Sequence, residues 1–254
     1  MLFAVDVGNT QTVLGLFGDT ELVGHWRMSS NAALTADELR AKTAALLALS
    51  GWAWNDVSDV ILASVVPRLT AAWEELAESA CDCSLMVVGP GLKTGMAIRY
   101  DNPHEVGADR IVNGIAAFER LGGPVVVVDF GTATTIDVIA SDGAYLGGAI
   151  APGVETSAEA LFTKAARLSK VDLEAPPQVI GTNTRASIQS GLMLGEAAMV
   201  DGLVRRVWTE LGAETPVVAT GGLAERMAPL CETISEVDVD LTLEGLRIVF
   251  ERNR

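Results

Sequence analysis

Two short stretches place a carboxylate where an apolar strand ends. Asp6-Val7-Gly8-Asn9-Thr10 closes the run LFAVDV, and Asp129-Phe130-Gly131-Thr132 closes PVVVVDF. A glycine just past a strand lets the chain turn tightly and lets a ligand approach the backbone. The N–H groups of such a turn, with Asn and Thr side chains beside them, can cradle phosphate oxygens. An aspartate in the same turn would repel phosphate unless a cation lies between the two. The pair therefore reads as two cation-plus-phosphate turns, with Asp129 holding a cation and Thr132, Thr134 and Thr135 holding phosphate. Two ordinary Asx turns, whose side chains bond their own backbone, are the alternative.

A third stretch, Gly107-Ala108-Asp109-Arg110, combines small residues with a carboxylate and a guanidinium. A carboxylate within hydrogen-bond reach can take the proton from an attacking hydroxyl, and the planar fork of Arg110 suits a substrate carboxylate. The same residues could instead form a solvated charge pair in the first turn of the helix ADRIVNGIAAFERL. Other phosphate motifs fail. In GPGLKTG, Lys93-Thr94 follows Leu92 rather than Gly, so it is no Walker A loop, and no G-x-G-x-x-G follows a strand.

The elements that must position these residues repeat. At a constant offset of 123 residues Asp6 matches Asp129, Gly8 matches Gly131, Thr12 matches Thr135, Asp19 matches Asp142 and Gly24 matches Gly147. Each copy reads as a β-meander: LFAVDV, QTVLGLF and ELVGHWRM, then PVVVVDF, TTIDVIA and AYLGGAIA. Helices and strands alternate after each. TADELRAKTAALLAL has a capping pattern in Thr35 and Glu38, and Pro67 opens PRLTAAWEELAESA. DVILASVV, SLMVVG and PVVAT read as strands. GVETSAEALFTKAARL, the long run from Thr184 to Leu211, GLAERMAPL and TLEGLRIVFERN read as helices. The expected fold is α/β: two similar duplicated domains, residues 1–120 and 121–254, with mixed sheets flanked by helices and a cleft between them. Gly and Pro in ERLGGP mark the join.

Composition narrows the function classes. Of 254 residues, 49% are hydrophobic, enough for a sizeable core, and the net charge of −15 argues against a nucleic-acid or anionic-membrane surface. Cys81, Cys83 and Cys231 make no disulfide framework, and with His25 and His104 they make no zinc spacing. The opening MLFAVDVGNT lacks a basic region and is broken by Asp6, so no signal peptide is expected, and no apolar run approaches a membrane span. A cytoplasmic protein is the expectation. Trp26, Trp52, Trp54, Trp73 and Trp208 sit among apolar patterns without interleaved Lys or Arg, so they read as structural.

In this order the motifs resemble a known family. The Asp-x-Gly turns resemble the acetate kinase, sugar kinase, heat-shock and actin superfamily, and the chain closely resembles type III pantothenate kinases. The resemblance rests on DVGNT (6–10), RYDNPHEVGADR (99–110), DFGTATT (129–135), GGAIAPG (147–153), GTNT (181–184), TGGLA (220–224) and LTLEGL (241–246), and spans nearly the whole chain. It implies an actin-like ATPase fold and transfer of the ATP γ-phosphoryl group to the primary hydroxyl of pantothenate, the first step towards coenzyme A. It places ATP phosphates on Asp6, Val7, Gly8, Asn9, Thr10, Gln11, Thr12, Val13 and Thr132. It places pantothenate on Tyr100, Gly107, Ala108, Asp109, Arg110 and Thr184, with Asp109 as the catalytic base. It puts a monovalent cation, potassium or ammonium, on Asp129, and magnesium, with ATP, near Asp6. It also implies a homodimer in which Thr184 reaches the pocket across the interface. One mild departure is Leu168-Ser169, where the family often has Leu-Pro. Without the resemblance, Tyr100 reads as a pocket wall or a core aromatic, and Thr184 as a helix N-cap. Gly191 and Gly195 read as a close helix contact, either inside the chain or at a dimer interface. TGGLA reads as a turn beside the nucleotide or a plain strand-to-helix turn. A catalytically silent regulator and a kinase of another small alcohol are the rival functions.

Overall fold

The computed structural model describes residues 1–80, 84–165 and 170–254. Cys81, Cys83, the Leu168-Ser169 departure and the last residues of the helix expected up to Leu168 lie outside them. The chain forms β1 (Leu2–Val7), β2 (Gln11–Gly18), β3 (Glu21–Ser29), α1 (Ala36–Leu49), β4 (Asp59–Ser64), α2 (Pro67–Ala80), β5 (Ser84–Val87) and α3 (Ala108–Leu121). There follow β6 (Val125–Phe130), β7 (Ala133–Ile139), β8 (Tyr145–Pro152), α4 (Val154–Lys164), α5 (Thr184–Gln189), α6 (Gly195–Leu211), β9 (Val217–Thr220), α7 (Ala224–Met227), β10 (Glu236–Val237) and α8 (Leu241–Asn253). These elements divide into two compact units: residues Met1–Met96, Asn102–Ala116 and Leu241–Arg254 form one, and Ala97–Asp101 with Ala117–Asp240 form the other. The division differs from a single cut after residue 120 in three places, the first being that the second unit already begins at Ala117 within α3. Helix α8 belongs with the first unit, and the short segment around Tyr100 with the second.

In the first unit the sheet order is β3-β2-β1-β4-β5, with β1, β4 and β5 parallel and the β1–β2–β3 meander antiparallel. Phe3, Val5 and Val7 point to one face, where Leu39 and Leu47 of α1 and Leu69, Trp73 and Leu76 of α2 bury against them. Thr35 begins α1 with the expected capping box: its hydroxyl accepts the Glu38 N–H, and Glu38 accepts the Thr35 N–H at 3.0 Å. The opposite face is covered by α8, whose Leu243 lies against Gly15 and whose Arg247 guanidinium sits 6.0 Å from the Phe17 ring centre. Trp54 and Trp73 are core residues, and Trp26 and Trp52 pack at its edge.

The second unit repeats the first, with order β10-β9-β6-β7-β8 and the same pattern of parallel and antiparallel pairs. The burial pattern of β6 equals that of β1 residue for residue. Both meanders carry an irregularity at the same rung, between Leu16 and Phe17 and between Val138 and Ile139, facing Gly24 and Gly147. The constant offset fails at one point. Val7 pairs with Thr12 but Phe130 pairs with Thr134, so the second hairpin is one residue shorter and the structural partner of Thr12 is Thr134, not Thr135. Val126, Val128 and Phe130 bury against Met193, Ala197, Val200 and Val204 of the long helix, with Trp208 at the margin. That helix is not regular throughout: α5 and α6 are joined by a π turn over Ser190–Leu194.

Two buried contacts give direct tests of this packing. A Cβ added to Gly245 of α8 would lie 2.1 Å from the Val112 carbonyl oxygen of α3. Overpacking of backbone costs about 1–3 kcal/mol, so Gly245→Ala should lower Tm by several degrees; an unchanged Tm would show that α8 does not need this approach. Glu196 of α6 is buried and accepts the Thr134 hydroxyl at 2.5 Å. Burial raises its pKa above the ordinary 4.5, opposed by the Thr134 hydrogen bond. The native state therefore favours the neutral acid, a stabilisation complete below the ordinary value and lost as pH rises through the raised one. Tm of the wild type should fall relative to Glu196→Gln as pH is raised from that value, and parallel curves would contradict the assignment.

Candidate active site

The first Asp-Gly turn is a tight hairpin tip. Gly8 donates its N–H to the Gln11 carbonyl at 3.0 Å, and a Cβ on Gly8 would lie 2.9 Å from that same oxygen. Asn9, Thr10 and Gln11 are exposed, while Val7 is buried and contributes only backbone. Behind the tip, the Thr10 carbonyl accepts the Ser30 N–H at 2.9 Å and the Thr12 and Ser30 hydroxyls bond at 2.8 Å. Asp6 is half-buried and pairs with Val13 in the ladder. The arrangement offers exposed polar side chains and backbone around one strand-end carboxylate, as a phosphate cradle requires.

The second turn is more enclosed. Gly131 donates to the Ala133 carbonyl at 3.1 Å, and the Thr132 carbonyl accepts both the Gly153 N–H at 3.1 Å and the Thr156 hydroxyl at 2.6 Å. Thr132 itself stays exposed. Thr134 and Thr135 do not: Thr134 is buried on Glu196, and Thr135 donates to Asp137 at 2.8 Å. This corrects the expectation that all three threonines hold phosphate. A threonine pointing inward from a strand spends its hydroxyl on the nearest buried acceptor.

TGGLA crosses directly above this turn. Gly221 has φ +93°, and a Cβ there would lie 2.3 Å from Asp129 Oδ1; Leu223 donates to the Phe130 carbonyl at 3.2 Å. Thr220 pairs with Asp129 across β6 and β9, is 1% exposed, and its hydroxyl has no hydrogen-bond partner among the described residues. A half-buried carboxylate, an orphaned hydroxyl and nearby carbonyls form an all-oxygen donor set, which fits a hard cation. No cluster of three or more His, Cys, Asp or Glu suited to a metal occurs among the described residues. Burial, then Asp201 and Glu196, push the Cys231 thiol up to about 12, which disfavours the reactive thiolate.

Asp109 lies in the first turn of α3 and its Oδ1 accepts the Arg110 N–H at 2.8 Å. Gly107 makes room for it, since a Cβ there would lie 2.4 Å from Asp109 Oδ1. Ala108 and Asp109 are half-buried and Arg110 is buried, so the solvated-charge-pair reading fails. In the second unit, Tyr100 is 36% exposed and rests on Gly147, whose added Cβ would lie 3.3 Å from its ring. Thr184 is exposed as the first residue of α5; the N-cap is Asn183, which accepts the Ala186 N–H at 2.9 Å. Thr184 lines an open groove of about 750 Å³ with Ser157, Asn183, Ser187 and Gly191. Among the described residues nothing lies within 4 Å of a Cβ placed on Gly191 or Gly195. GPGLKTG leads into no helix; its Lys93 is bonded through the backbone to Asn253.

Sequence reasoning missed Glu196, Asp137 and Tyr145. The signal was present as acids inside apolar patterns, Glu196 in GLMLGEAAM and Asp137 in TTIDVIA. No described helix is long and apolar enough to cross a membrane.

Comparison with known proteins agrees with this geometry. The family profile described as type III pantothenate kinase matches residues 2–206. The type III pantothenate kinase of Moorella thermoacetica is 51% identical over 253 residues, covering 100% of both chains. Among solved structures, a protein described as a Baf family transcriptional activator from Campylobacter jejuni superposes with TM-score 0.65 at 18% identity, over 99% of this chain and 98% of its own. Component A of (R)-2-hydroxyglutaryl-CoA dehydratase from Acidaminococcus fermentans gives TM-score 0.58 at 15% identity, over 100% and 99%. The duplicated sheets are the actin-like fold shared with sugar kinases. The chain belongs to the type III pantothenate kinase family.

Proposed function

We propose that this chain transfers the γ-phosphoryl group of ATP to the primary hydroxyl of pantothenate, opening the route to coenzyme A. The observation that carries the reading is the pair of matched hairpins, each ending a buried strand in Asp-x-Gly, in a chain of this family. Residues Asp6 to Val13 and Thr132 take the ATP phosphates. Exposed Asn9, Thr10, Gln11 and Thr132 support this through side chains, and the glycine-bearing tips through backbone. Tyr100, Gly107, Ala108, Arg110 and Thr184 take pantothenate, with the Arg110 guanidinium suited to its carboxylate.

Asp109 is the general base. Its carboxylate accepts the hydroxyl proton as the substrate oxygen attacks the γ-phosphorus in line; the new O–P bond forms as the bond to ADP breaks. Magnesium, with ATP near Asp6, and a monovalent cation, potassium or ammonium, on Asp129 would neutralise phosphate charge. The orphaned Thr220 hydroxyl beside Asp129 supports the second placement. A homodimer, with Thr184 acting across the interface, is supported by the open surface at Gly191 and Gly195. A cytoplasmic location follows from ATP as the phosphoryl donor.

The reaction is tested by incubating the protein with ATP, magnesium and pantothenate, with potassium or with only a bulky organic cation, and looking for phosphopantothenate by mass spectrometry. Absence of product in both buffers, from folded protein, would sink the reading. Asp109→Asn should lower kcat by about 10²-fold or more with ATP binding retained, the usual scale for loss of a general base; near-normal turnover would remove Asp109 from that role. Asp129→Ala should abolish potassium stimulation, and an unchanged potassium response would move the cation elsewhere.

A further inference from the structure

Near Tyr100 lies a buried carboxylate that phosphate binding does not use. Asp137, on β7, is 0% exposed. Its Oδ1 accepts the Tyr145 hydroxyl at 2.7 Å and its Oδ2 accepts the Thr135 hydroxyl at 2.8 Å. Thr135 in turn pairs with Asp129 across the β6–β7 ladder, so Asp129, Thr135 and Asp137 share one face of the second sheet. The fold does not require an acid at this position. In the first meander the same rung is Gly15, packed by Leu243 and Leu22. A carboxylate taken out of water is unfavourable unless donors compensate it, so this one marks a specific need.

Tyr145 connects that carboxylate to the surface. It is fully buried, and it anchors the segment leading to Tyr100: its N–H donates to the Ala97 carbonyl and its carbonyl accepts the Arg99 N–H, both at 2.8 Å. Its ring centre lies 6.3 Å from that of Tyr100, with the planes 57° apart. Gly147, at φ +117°, leaves the space that the Tyr100 ring occupies. Tyr100 therefore has a floor of Gly147 and a side support of Tyr145, and a free face towards solvent.

We propose that Asp137 and Tyr145 are positioning residues for the acceptor alcohol: the buried hydrogen bond locks the Tyr145 ring, and that ring sets the tilt of Tyr100 as substrate wall. The inference rests on the reading of Tyr100 as part of the pantothenate site. Both residues are fully buried and act through Tyr100, so the effect belongs in the affinity for the acceptor and not in phosphoryl transfer.

The test is steady-state kinetics of Tyr145→Phe, Asp137→Asn and Tyr100→Ala with ATP and pantothenate varied separately. Tyr145→Phe keeps the ring and loses the donor; it should raise the pantothenate KM about tenfold while kcat and the ATP KM change less than twofold. Asp137→Asn keeps the volume and one acceptor oxygen, and should give a smaller rise with the same selectivity. An unchanged pantothenate KM in both, with a raised one in Tyr100→Ala, overturns the positioning role and leaves the Tyr100 reading intact. A raised ATP KM and a fall in kcat in parallel show a merely structural role and overturn it too. An unchanged pantothenate KM in Tyr100→Ala removes the site reading and the inference with it.

Discussion

A carboxylate at the end of a buried strand is an electrostatic debt that the surrounding backbone has to meet. Asp6 and Asp129 stand at matching rungs of two matching sheets, each followed two residues later by a glycine. Around Asp129 the consequences are explicit. The next strand ends in an orphaned hydroxyl, the turn above it needs a glycine with positive φ, and Gly153 lets the β8–α4 junction press on the hairpin tip. Each of these is a poor choice for stability alone. Glycine loses more backbone entropy on folding than any other residue, and a buried unpaired hydroxyl loses hydration without return. Together they are what an oxygen-lined seat for a cation beside phosphate requires.

The two meanders share a frame and differ in what fills it. Thr12 meets Ser30 in the first, whereas its counterpart Thr134 meets the buried acid Glu196 in the second. Gly15 makes room for Leu243 of α8 in the first, whereas the second carries Asp137 under Tyr145. The first sheet closes one face with α8 and, beyond Asp6, has Val13 and Gly15 where the second has Thr135 and Asp137. The second keeps a polar row on the corresponding face. Duplication supplied the geometry, and substitution at a few inward-facing rungs made the halves unequal.

Much of this was legible from residue patterns. The meanders, the parallel strands, the Thr35 capping box and Pro67 at a helix start follow from alternation and local chemistry, which act over a few residues. What was hidden depends on contacts between distant residues. The single-residue shortening of the second hairpin is invisible in the sequence because Thr134 and Thr135 are alike in type, and only the ladder tells which one faces the core. Asn183 rather than Thr184 caps α5 because the two are neighbours of similar capping strength, and backbone dihedrals decide between them. The membership of α8 in the first unit could not be read from its position, since an amphipathic helix does not say which sheet it covers.

That membership has a consequence for how the molecule is made. The 13 residues of α8 leave the ribosome after the whole of the second unit, yet they cover a face of the first sheet. Until then Gly15 and Phe17 lack the cover of Leu243 and Arg247, and the second unit, whose elements are nearly contiguous, has all its partners in hand. The later-synthesised unit is thus the first able to finish, and the earlier one must wait with an open apolar face. During synthesis that face is where a chaperone would find its substrate.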